Sequence, residues 1–123
     1  MDTFEDLEVW KRGVKLASTV YLSLEPCKDY SLKDQLNRAA VSISSNIAEG
    51  YERNSNKQFA YHLQVAKGSC GELRSQLYIC AEIGIINIET RNELQQEAIE
   101  ISKMLHGLIK HCRKKVEIQS SIL

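Results

Sequence analysis

Residues 59–80 read F-A-Y-H-L-Q-V-A-K-G-S-C-G-E-L-R-S-Q-L-Y-I-C. Phe59, Leu63, Ala66, Cys70, Leu73, Leu77 and Cys80 follow one another at alternating steps of four and three. Positions spaced in this way share one side of an α-helix. Their mean spacing of about 3.5 residues is the period of a left-handed seam between helices. No alternation of period two runs along the segment, and it is too long for a strand. A helix of this length must cover its apolar side, and the rest of the chain supplies the cover.

The same rhythm recurs three times. Leu7, Trp10, Val14, Ala17, Tyr21 and Leu24 carry it first, then Leu36, Ala40, Ile43, Ile47 and Gly50. Leu94, Ala98, Ile101, Leu105, Leu108 and Cys112 carry it last. Thr3 with Asp6, Ser31 with Asp34, Ser55 with Gln58 and Thr90 with Glu93 have the spacing of capping boxes, in which side-chain oxygens meet unpaired backbone N–H groups. Pro26, the only proline, stops the first helix, and Gly84 suits a left-handed cap after the third. The predicted helices span about 4–24, 32–52, 56–83 and 91–115, with 117–123 as a tail. Short connections make successive helices antiparallel neighbours. The expectation is an all-α, antiparallel, up-down-up-down, left-handed four-helix bundle in a single domain over 1–123.

A chain of 123 residues buries a core without metal or disulfide. Sixteen basic side chains balance sixteen acidic ones, so no overall field draws the protein to nucleic acid or an anionic membrane. The same neutrality removes a barrier to self-association. Cys27, Cys70, Cys80 and Cys112 show no C-x-x-C spacing, and no apolar run approaches the ~18 residues of a membrane span. The acidic start M-D-T-F-E-D-L-E is not a signal peptide. A cytoplasmic setting is expected, with the thiols acting as small buried hydrophobes.

Beside the apolar line of the second helix runs a polar one: Gln35, Arg38, Ser42, Ser45 and Glu49, with Asn46 adjoining and Arg53 a turn further. His62, Ser69, Glu72 and Gln76 make a similar line on the third. Folding one helix back on the other puts Asn46 level with His62 and Arg38 level with Ser69 to Glu72. An Arg38–Glu72 contact is expected, with hydrogen bonds joining Asn46, Glu49 and the start of the third helix. Two readings stand: a solvated face, or a partly buried network that fixes register or lines a subunit interface. Serine and asparagine are mediocre helix formers, which favours the network.

Surplus apolar positions raise a similar choice. Val9, Gly13, Leu16 and Val20 form a second line on the first helix, and Tyr61, Val65 and Gly68 one on the third. They suit either a wide core face or contacts between copies in a homo-oligomer. Gly68 and Gly71, inside a long helix, suggest close approach by another helix.

Lys110, His111, Arg113, Lys114 and Lys115 cluster near the end of the fourth helix. They complement its macrodipole, and with Arg53 and Lys57 they also offer phosphate contacts to nucleic acid. Catalysis finds no support. None of His62, His106 and His111 has a glutamate three residues before it, as a di-iron bundle needs. No base or oxyanion motif accompanies the serines. No enzyme, metal, cofactor or small-molecule substrate is expected.

F-E-D-L-E-V-W-K near the start, Q-L-N-R-A-A-V-S-I-S-S-N-I-A-E-G at 35–50 and G-S-C-G-E-L at 68–73 resemble a bacterial family of four-helix bundles encoded in intervening sequences of 23S rRNA genes. The resemblance covers roughly residues 4 to 112 and rests on N-I-A-E-G followed by G-S-x-x-E-L. It implies a left-handed bundle, often a homopentamer, ribosomal-protein-like by family name, and it implies no enzymatic activity. The chain is also similar to the accessory protein of diversity-generating retroelements, which partners a reverse transcriptase and is associated with nucleic acid. The positions carried by the resemblance are Gln35, Arg38, Asn46, Glu49, Gly50, Ser69 and Glu72. Those relatives are markedly basic, whereas this chain is neutral. The function expected is a non-enzymatic, homo-oligomeric binding or scaffold protein that contacts RNA or a nucleic-acid-processing partner. The alternative is a structural homo-oligomer or protein adaptor with no nucleic-acid affinity.

Overall fold

The computed structural model describes residues 3–122, and among them all regular structure is helical. A short 3-10 turn, Phe4–Asp6, precedes α1 (Glu8–Ser23), α2 (Tyr30–Glu52), α3 (Asn56–Glu82) and α4 (Ile88–Ile122). Each helix packs on its neighbours in sequence, and α1 also meets α4, the sparsest of the four seams.

The ends of the helices follow from local chemistry. Ser55 caps α3 as expected, its hydroxyl accepting from the Gln58 N–H at 3.3 Å. Asn54 turns the chain before it at φ 57°, a conformation asparagine tolerates. After α3 the Gly84 N–H donates to the Ala81 carbonyl and the Ile85 N–H to the Cys80 carbonyl at 2.8 Å. This paired closure needs the left-handed φ of 80° that Gly84 adopts.

Three boundaries differ from expectation. Asp29, not Ser31, caps α2, accepting from the Leu32 N–H at 3.1 Å. Asn87, not Thr90, caps α4, accepting from the Thr90 N–H at 2.7 Å. In both cases an Asx residue two or three positions earlier outcompetes the hydroxyl. The expected tail over 117–123 is helical as far as Ile122, and Leu123 lies outside the described residues. No Gly or Pro follows Gly107, and adding residues to an existing helix carries no nucleation cost.

The apolar lines of α2, α3 and α4 form one core. Leu36, Ile43, Ile47, Leu63, Leu73, Leu77, Ile101 and Leu105 are fully buried within it. Helix α1 reverses the expectation. Val9, Gly13, Leu16 and Val20, expected at a subunit interface, are buried in the core of the chain itself. Val14 and Tyr21, expected inside, are 38% and 59% exposed, and Trp10 and Ala17 are half-buried. Gly13 explains the choice. A Cβ there would sit 3.4 Å from Ser44 Cβ, so the missing side chain lets α1 lie close on α2. Trp10 and Tyr21 carry polar atoms that prefer the boundary.

Candidate nucleic-acid interface

Where α2 meets α3, a polar network runs beside the core. The Asn46 amide donates to the Ser42 carbonyl at 2.9 Å and the Ser42 hydroxyl at 3.0 Å. Its Oδ1 is thereby turned toward His62 Nδ1 at 3.2 Å, which fixes the imidazole as the donor. The Ser69 hydroxyl donates to Ser42 Oγ at 2.9 Å. Beside this network Gly50 is buried against α3: a Cβ on it would lie 2.6 Å from His62 Cβ. Gly50, Asn46 and Ser69 thus set the register of the two helices. Gln76, seven residues beyond Ser69, has its Oε1 buried with no donor among the described residues. Such an atom costs about 1–3 kcal/mol, so this is the weakest part of the seam.

Other expected members stand apart from it. Arg38 does not reach Glu72: its Nε donates to Asp34 Oδ2 at 2.9 Å, a turn earlier on the same helix. Arg38 points outward, with its side chain 79% exposed, while Leu36, Ala39 and Ala40 face inward. Gln35 and Glu72 are exposed. Glu49 pairs with Arg53 at 2.8 Å rather than with the start of α3. The Arg53 hydrogen bond holds the Glu49 carboxyl below its usual range. Gly68 and Gly71 meet nothing from this chain where a Cβ would be, so no helix of the same protomer comes close to them.

Two cross-helix links carry no sequence signal. Arg12 of α1 grips Glu97 of α4 through two nitrogens, at 2.7 and 2.9 Å. That hydrogen bond lowers the carboxyl's pKa against opposing desolvation. The pair lines a cleft of about 610 Å³ between α1 and α4, with Glu8, Lys15, Ser23 and Thr90. Gln95, buried on α4, donates to the Arg74 carbonyl at 2.7 Å and accepts from Arg74 Nε at 3.4 Å. Neither pair follows from spacing, because each joins helices whose rotation only the packed fold fixes.

Six of the sixteen basic residues, Arg53, Lys57, Lys110, Arg113, Lys114 and Lys115, lie toward one end of the fold. Lys57 and Tyr61 of α3 wall a groove with Arg113 and Val116 of α4. His111 and Lys115 line a second depression with Asn54 and Ser55 of the α2–α3 turn. Lys110, Arg113 and Lys114 surround a third, with Glu117. Lys57, Lys110, Arg113, Lys114 and Lys115 are exposed. Arg53, expected with this group, is partly neutralised by Glu49 at 2.8 Å.

Among the described residues no group of three or more His, Cys, Asp or Glu is placed to hold a metal ion. Burial pushes the Cys70 thiol up to about 12 and raises Cys80 and Cys112 as well, which suppresses their thiolates at neutral pH. No helix among the described residues is long and apolar enough to cross a membrane.

The sequence matches the family described as 23S rRNA-intervening sequence protein over residues 5–107. The chain belongs to that family. Its fold is similar to that of a protein of unknown function from the S23 ribosomal protein family of Bacteroides thetaiotaomicron VPI-5482, with a TM-score of 0.78 and 24% identity. The match covers 83% of this chain and 98% of that one. Among curated proteins no sequence match is found. Neither the family's description nor that of the solved relative names a reaction.

Proposed function

We propose that this protein is a non-enzymatic, self-assembling helical scaffold of the cytoplasm that contacts RNA through the basic end of its fold, alone or with a nucleic-acid-processing partner. The observation that carries the proposal is the meeting of Lys57 with Arg113, far apart in sequence, on one groove beside Lys110, Lys114 and Lys115. The family's description, which names a 23S rRNA intervening sequence, favours RNA as the polyanion. In this proposal the four helices form an antiparallel, up-down-up-down, left-handed bundle. The clefts shared by Ser23 with Thr90 and by Ser55 with Lys115 support that topology.

Self-assembly draws on the surfaces the core leaves uncovered. Val14 and Tyr21 on α1, and Val65, Gly68 and Gly71 on α3, are exposed. Glycine in a helix interior costs about 1 kcal/mol against alanine, and contact with a helix of another copy offsets it. These faces repeat as one heterologous interface around a ring, with five copies as the resemblance implies. A ring would multiply a weak basic patch by its copy number.

The test is fluorescence anisotropy with a labelled structured RNA at about 50 and 200 mM salt. Micromolar or tighter binding that weakens steeply with salt, and is lost in Arg113→Glu, is expected. No binding at the lower salt would defeat the RNA proposal. The second proposal, a structural homo-oligomer or adaptor without nucleic-acid affinity, draws on the other end of the fold. There Tyr21, Leu22, Tyr30, Ile79, Ile83 and Ile88 are exposed. A Tyr21→Glu variant that keeps the wild-type mass in solution would remove α1 from the subunit interface.

A further inference from the structure

The groove between the first turns of α3 and the last turns of α4 holds about 470 Å³. Ala60 and Val116 contribute apolar surface, and Tyr61 adds an aromatic ring. That ring meets the His62 ring edge-on at 5.3 Å, yet the residue remains 65% exposed. Lys57 and Arg113 bring a cation from each helix, and Gln64 brings an amide that both donates and accepts. Glu117 is the one carboxylate on the groove.

We propose that this groove takes an unpaired nucleotide of single-stranded RNA, with the base stacked on Tyr61 and the adjoining phosphates on Lys57 and Arg113. The inference rests on the RNA-binding proposal above and names the part of the RNA that is held. Stacking on an aromatic side chain tolerates any base, because every base has a π-face. A base inside a duplex already has both faces covered, so only a loop, bulge or free strand can use the ring. The cations set beside an exposed ring favour a nucleic acid over an acidic peptide. A single strand brings an anion and a flat ring with every residue, whereas an acidic peptide brings anions without an obligatory ring. Gln64 can bond to the edge of whichever base is seated, which makes the site a holder of unpaired strand and not a reader of sequence.

The full chain is titrated against a labelled uridine strand of ~12 nucleotides and a fully paired RNA duplex at about 50 mM salt. The strand should bind more tightly than the duplex. Tyr61→Ala should weaken the strand about ten-fold or more, with no change in the salt slope or in duplex binding. Tyr61→Trp should restore strand binding. Lys57→Glu should weaken both RNAs and flatten the salt dependence. A 2-aminopurine placed in the strand should be quenched by the wild type and not by Tyr61→Ala. Equal strand binding by the wild type and a folded Tyr61→Ala, with Lys57→Glu impaired, would overturn the stacking site and leave the RNA proposal intact. No binding of either RNA would defeat the RNA proposal itself. Binding of an acidic peptide that Tyr61→Ala abolishes, without strand binding, would give the groove to a protein partner and overturn the inference.

Discussion

The α2–α3 seam and the α1–α4 seam solve the same packing problem in opposite ways. In the first, Gly50 brings two helices close enough that even one added methyl would collide with His62. Short polar side chains, Ser42, Asn46 and Ser69, then bond across the narrow gap. In the second, the helices stand apart around a cleft, bridged by the long side chains of Arg12 and Glu97. The difference teaches that register is fixed by what is small and buried, whereas a long ion pair only tethers. It also makes α1 the helix whose release disturbs the rest least.

The sharpest way to break the comparison is Leu16→Glu, on the buried side of α1 beside the cleft. The change removes a core side chain and buries a charge beside Glu97, so a loss of more than about 3 kcal/mol in urea unfolding is expected. Val14→Glu, on the exposed stripe of the same helix, should keep the fold. Equal stability of the two variants would return α1 to the opposite orientation. Gly50→Ala comes next, at about 1–3 kcal/mol, because the new methyl overpacks the seam. An unchanged melting temperature would show that α3 moves away freely and that glycine does not set the register.

A double-mutant cycle on Arg12 and Glu97 should give about 0.5–1 kcal/mol, since both side chains are about a third exposed and solvent screens them. The folded-state pKa of Glu97 is depressed, so the unfolded chain binds its proton more readily. The pair's contribution is therefore present above the ordinary carboxylate pKa and lost as pH falls through the lower folded value. Glu97→Gln should flatten that acid limb of the stability curve. The smallest effect belongs to Arg38→Ala, within about 0.5 kcal/mol, because Arg38 pairs only with exposed Asp34. A loss of several kcal/mol would restore a buried partner for Arg38.

How much of this was legible in the sequence differs by helix. The apolar line of α3 has only a weak rival, since Tyr61, Val65 and Gly68 offer one aliphatic side chain, and from Leu63 to Cys80 it is fully buried. On α1 two lines compete, and side-chain hydrophobicity does not separate Trp10, Val14 and Tyr21 from Val9, Leu16 and Val20. Gly13 decided the matter through backbone proximity, a property of α2 as much as of α1. The network around Asn46 could be anticipated because its partners lie across a single turn. The Arg38 pairing failed because Arg38 points outward, where Asp34 on its own helix accepts from it. Of the basic end, the cluster on α4 was plain from composition. Lys57 was expected beside it, but Tyr61, expected at a subunit interface, shares their groove with Val116 and Glu117, and no residue near 116 advertises that α4 runs so far.

The continuation of α4 past Cys112 has a mechanical consequence. Its 35 residues against the 27 of α3 amount to about 12 Å of extra length at 1.5 Å per residue. Whatever is held beyond Glu117 is carried on a stiff shaft, with its orientation locked to the core. Distance and angle along such a shaft change together. One residue inserted after Val116 would swing a partner at the tip by about 100°, and four would bring it nearly back into line about 6 Å further out.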